Sequence, residues 1–192
     1  MSFLSALFGS ADQPKKPAAP EAHPDLPVYQ AVINLIAVSP ALQTQLTADV
    51  QRAFDAPQSF YDDGEYTLAE YGRGLRYPKD ARLTPKFVLI DTLIDWEQMA
   101  EVDWKASEED IRFAINDILD AKGFALELPQ DEQYDDPDTF SVFQTIDDDE
   151  LQPAGYCLAF LDIDSDSYVF TVVPLAQQAE AEQLFARLGQ LK

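Results

Sequence analysis

Apolar residues recur along this chain in two rhythms. Val28, Val32, Leu35 and Ile36 repeat at helical spacing up to Ser39-Pro40. Leu42, Leu46, Val50 and Phe54 follow at four-residue steps, and Pro57 stops them. These spacings predict two amphipathic helices. Phe87, Ile90, Leu93, Ile94 and Met99 predict a third over residues 86–99, with Pro85 at its start. A fourth carries the stripe Ile111, Ile115, Ile118 and Leu119. Ser107-Glu108-Glu109-Asp110 opens it, because the serine can cap free N–H groups and the acids complement the positive helix end. Lys122-Gly123 closes it. Ala181, Leu184, Phe185 and Leu188 mark a final helix over residues 176–188.

The second rhythm is strand-like. Residues 101–105 and 124–128 alternate apolar with polar or small side chains. Residues 156–162 and 168–173 are denser apolar runs, joined by the hairpin turn Asp162-Ile163-Asp164-Ser165-Asp166-Ser167 and ended by Pro174. Residues 58–64 read as a turn, and 68–71 as one added helical turn. Residues 139–151 admit two readings: a helix capped by Asp138 with Phe140, Phe143 and Ile146 inside, or a strand over 140–146. Together these elements predict an α+β fold, a small mainly antiparallel sheet packed by helices on one side.

Residues 1–27 read differently. Phe3, Leu4, Leu7 and Phe8 form a short amphipathic tip, and five prolines from Pro14 to Pro27 make a flexible, semi-extended tail. Residues 28–192 then form one α+β domain, large enough to fold without a disulfide or a metal.

Charge changes the picture. The formal net charge is −22, from 35 acids and 13 bases. Residues 123–186 contain 15 carboxylates and no Lys, Arg or His. Direct nucleic-acid binding needs a basic footprint, so it is disfavoured, as is an anionic membrane. The acids gather at Asp131, Glu132, Asp135 and Asp136, at Asp147, Asp148, Asp149 and Glu150, and at Asp162, Asp164 and Asp166. A solvated, solubilising surface accounts for such runs, and so does a surface for a basic partner. Five bases, Arg73, Arg76, Lys79, Arg82 and Lys86, share 14 residues. They read either as an anion site or as the counter-charge to the acidic half.

Catalytic chemistry finds few residues. Cys157 is the only cysteine and lies in an apolar run; His23 is the only histidine and lies in the tail. Cys–His and Ser–His–Asp machinery is thereby excluded, as is a zinc site of His and Cys. Asp162, Asp164 and Asp166 resemble the opening of a calcium loop, but positions six and twelve are Ser167 and Val173, so the helix-loop-helix pattern fails. A looser oxygen-ligand site and a plain Asp/Ser turn both remain readings of this segment. Asp91 and Asp95 lie one helical turn apart near Trp96, with no partner set for acid–base work. No apolar run reaches the length of a membrane span. The expected compartment is the cytoplasm, and no cofactor is expected.

Val102-Asp103-Trp104-Lys105 before the capped helix, the Gly-ended helix itself, the segment from Leu161 to Tyr168, and Val172-Val173-Pro174 together resemble a bacterial family of uncharacterised proteins, the domain of unknown function 6630 type. The likeness spans roughly residues 86–175. It implies a cytoplasmic α+β domain and supplies no catalytic residues. The expected function is non-enzymatic binding of a basic protein partner, of an inhibitor or immunity type. The alternative is a divalent-cation-binding protein, with or without hydrolytic activity, that uses the Asp162, Asp164 and Asp166 hairpin.

Overall fold

The computed structural model describes residues 23–69, 73–130, 133–134 and 138–191. The tail residues 1–22 and the acids Asp131, Glu132, Asp135 and Asp136 lie outside them.

The helical rhythm produces α1 (Leu26–Ile36) and α2 (Pro40–Asp55). Proline sits in the first turn of both, where its missing N–H is no loss. The Ser39 hydroxyl accepts the Leu42 N–H at 3.2 Å and caps α2. A tight hairpin follows, β1 (Tyr61–Asp62) and β2 (Glu65–Tyr66). Its turn, Asp63-Gly64, holds φ angles of 46° and 80°, the left-handed pair that such a two-residue turn demands. α3 (Thr84–Asp95) is buried on nearly every side from Thr84 to Thr92 and Leu93, which makes it the central helix. β3 (Ala100–Asp103) leads to α4 (Glu108–Ala121), which carries the full Ser107/Asp110 capping box. Gly123, at φ 67°, ends it.

Residues 139–151 resolve as helix. Asp138 accepts the Ser141 N–H at 2.9 Å and caps α5 (Thr139–Ile146), which runs on into one π turn, Asp147–Leu151. β4 (Tyr156–Leu161), β5 (Ser167–Pro174) and α6 (Gln178–Gln190) complete the chain.

The three-stranded sheet is antiparallel, in the order β3-β5-β4, with Glu101 opposite Val169 and Leu158 opposite Val172. The class is α+β with small antiparallel sheets. Helices cover more than the single side that the alternation suggests. Cys157, Ala159, Leu161, Val169 and Val173 join a core with α1, α2, α3 and α6. Leu158, Phe170 and Val172 join a second core with α4 and α5. The reason is in β5, where side chains of both parities are apolar and buried from Val169 to Val173 apart from Thr171.

Residues 124–128 form no strand. Leu128 donates its N–H to the Asn116 side chain at 2.8 Å and accepts from it at 2.9 Å. The segment is thus clamped to α4 by a side-chain amide instead of joining a ladder. Among the described residues no helix is long and apolar enough to cross a membrane.

Candidate functional site

An open cleft of about 1260 Å³ separates the basic segment from the acidic hairpin. Arg73, Lys79, Arg82 and Lys86 contribute to one wall, and Asp162, Asp164 and Asp166 to the other. Two segments roughly eighty residues apart are brought together because α3 and the β4–β5 hairpin flank one core. Arg76 is not part of the cleft; it pairs with Glu65 and lies at the surface. Lys86 is buried and donates to the Gly189 carbonyl at 2.9 Å.

Arg73 anchors one end of this cleft. Its Nε donates to Asp91 Oδ1 at 2.8 Å, and its guanidinium also binds Glu101. Burial alone would weaken its hold on the proton, but the two carboxylates outweigh burial and keep it charged. Glu101 in turn accepts from the Ser167 hydroxyl. The buried Tyr66 phenol adjoins the same network, and burial together with the Asp91 charge pushes it up, so it stays protonated. Asp91 is therefore an ion-pair partner of Arg73 rather than half of a pair with the exposed Asp95.

The hairpin is held by its own polar groups. Asp162 Oδ1 accepts the Asp164 N–H at 2.8 Å, and Ser165 and Ser167 hydroxyls meet at 2.7 Å. Asp164 sits at φ 60°. Among the described residues, no three His, Cys, Asp or Glu side chains gather where one metal ion would be held, and these three aspartates are no exception.

The run Asp147–Glu150 divides. Asp147 accepts the Leu158 N–H at 2.7 Å and the Gln152 amide at 2.8 Å. Glu150 binds Arg112 through two bonds of 2.7 and 3.1 Å. Asp148 and Asp149 are left at the surface.

Arg112 is a residue that the charge pattern did not single out. Its side chain is 0% exposed. Besides Glu150 it binds Glu108, one turn earlier, at 2.6 Å. Glu108 also accepts the N–H groups of Gln133 and Tyr134 at 2.8 and 2.9 Å. The Tyr134 hydroxyl reaches Glu150 at 2.8 Å, and its ring lies under the guanidinium. Burial alone would raise both carboxyls, but these donors outweigh it and hold them below the ordinary range. A signal was present. Arg112 follows Ile111 and precedes Ile115 by three, so it falls on the buried stripe of α4 with Glu108 directly beneath it.

Lys122 is a second missed residue. Its Nζ donates to the Thr171 hydroxyl at 2.7 Å and to the Val172 carbonyl at 2.8 Å. No carboxylate pairs with it among the described residues. Burial pushes its amine down to about 7.

A ledge of aromatic side chains stands beside the cleft. Phe140 and Phe160 are 42% and 36% exposed, with ring centroids 6.1 Å apart. Tyr168 stacks on Phe140 at 6.0 Å. Phe160 also lines the cleft, next to the hairpin acids.

No curated protein and no solved structure matches this chain. One family model does, over residues 29–190, a longer span than the motifs that carried the resemblance. The chain belongs to the family described as Domain of unknown function (DUF6630).

Proposed function

We propose that this protein is a non-enzymatic binding protein that engages a basic protein partner, in the manner of an inhibitor or immunity protein. The observation that carries the reading is exposed Phe160, which lines the cleft with Asp162, Asp164 and Asp166 and has exposed Phe140 at its side. Interfaces concentrate their binding energy in aromatic anchors surrounded by a polar rim. Carboxylates in that rim accelerate encounter with a cationic surface and reject an anionic one. Exposed Asp148 and Asp149 extend the same sign of field.

The test is capture of proteins from cell lysate on the immobilised full chain and on its Phe140→Ser variant, at low and high salt. The reading expects a basic protein that the wild type retains at low salt, that salt releases, and that the variant fails to hold. Retention of no basic protein counts against it, as does retention indifferent to salt and to Phe140.

A further inference from the structure

We infer that the cleft is the seat for an extended peptide segment of mixed charge, in which a basic and an acidic side chain flank an apolar one. This rests on the reading that the partner is a protein, and it names the part of the partner that binds.

Three observations converge. The first is charge. Exposed Lys79 and Arg82 face a wall that carries exposed Asp162, Asp164 and Asp166. Opposite charges in so small a protein would be expected to close on one another. They do not: among the described residues no ion pair joins Lys79 or Arg82 to these aspartates, and Lys79 reaches only its neighbour Asp80, at 3.9 Å. Asp80 shares the basic wall and meets Lys79, so Arg82 is the cation there without an ion pair among the described residues, and it stands across the cleft from the three unpaired aspartates. A ligand of one sign would be attracted by one wall and repelled by the other. A ligand with both signs satisfies both.

The second is the surface between the walls. Phe160 and Ile163 line it, and neither is fully buried. An apolar side chain placed there would be desolvated on both faces, which charged walls alone would not favour.

The third is size. The cleft, at about 1260 Å³, exceeds the roughly 300–1,000 Å³ of ordinary small-molecule pockets. A chain segment fills that volume better than a compact metabolite does. The hairpin wall is already locked by the Asp162, Ser165 and Ser167 bonds, so it loses little freedom on binding.

The experiment titrates the ¹⁵N-labelled full chain with blocked hexapeptides in three sets. One set holds Arg, Leu and Glu in every order and spacing, filled with Gly; one holds Arg and Leu only; one holds Glu and Leu only. Spermidine and inorganic phosphate serve as simple-ion probes. The mixed set should bind up to about fivefold more tightly than either single-sign set, as the one added exposed charge contact allows. Its best members should shift amides in both 79–83 and 162–167. A Lys79→Ala/Arg82→Ala variant should lose the preference for Glu-containing peptides and keep that for Arg. The inference is overturned if mixed peptides bind no better than single-sign ones, if spermidine or phosphate produces the same shifts, or if the amides that move belong to a self-association that varies with protein concentration. Lysate capture that depends on Phe140 while all peptides fail would sink the cleft and leave the binding function standing. Loss of capture with peptide binding intact would do the reverse.

Discussion

Arg112 and Glu150 meet through two parallel hydrogen bonds although 38 residues separate them, and the arginine is wholly buried. The pair fastens the end of the acidic run to α4, and Glu108 fastens the Gln133-Tyr134 loop to the same guanidinium. Removing the cation would leave two carboxylates facing each other. Arg112→Met should therefore cost about 3–5 kcal/mol, and adding Glu150→Gln should recover part of it. Urea unfolding of the three proteins measures both effects.

The same network sets an acid limit. Glu108 and Glu150 are held below the ordinary carboxyl value of 4.5. A depressed carboxyl contributes its full stability above the unfolded value and loses it as pH falls through the folded one. Unfolding free energy should drop below about pH 4.5 more steeply in the wild type than in Arg112→Met, in urea titrations stepped downward from that pH.

Lys122 predicts a second rise of stability with pH, on the alkaline side. Its amine ionises near 7 in the fold and near 10.5 when unfolded. Between those values the unfolded chain binds the extra proton, so stability rises with pH, by up to about 1.4 kcal/mol per unit. From about pH 7 to pH 9 the wild type should gain stability relative to Lys122→Met. Parallel curves for the two proteins would refute the assignment.

Asn116 clamps Leu128 from both sides of its peptide. Asn116→Ala leaves that donor and acceptor without a partner, at a cost of about 1–3 kcal/mol. Hydrogen exchange at the Leu128 amide should accelerate more than exchange in β5, because the clamp is local.

Glu97 occupies φ 54° just past α3, a left-handed position at an exposed site. A side chain with Cβ is strained there, by roughly 1–2 kcal/mol, and glycine is not. Glu97→Gly should raise the thermal midpoint, and Glu97→Val should lower it.

What the sequence disclosed follows from what its patterns encode. β4 and β5 were legible because a dense apolar run ended by Pro174 has few other uses. α4 was legible because Ser107, Asp110 and Gly123 mark both of its ends. The alternation Phe124, Leu126, Leu128 was real, but it states which side chains are buried and not which group takes the backbone bonds. The β1–β2 hairpin carried its Asp63-Gly64 turn in plain view, yet two-residue strands leave no alternation to read. At the candidate site, composition identified both walls of the cleft but not that they face without closing, since sign alone does not fix distance. Arg112 was hidden by the opposite problem: a charge on an apolar stripe reads as an exception until its partner, 38 residues on, is known.

Asp147 has a consequence of another kind. β4 is an edge of the sheet, and the outward N–H of Leu158 is taken by the Asp147 carboxylate. An unpaired edge is a template on which a second copy's strand can align and from which aggregates grow. The first residue of the acidic run thus takes one of the donors that a second strand would need in order to add to this edge. Part of what looks like an invitation to a partner is a refusal of the wrong one.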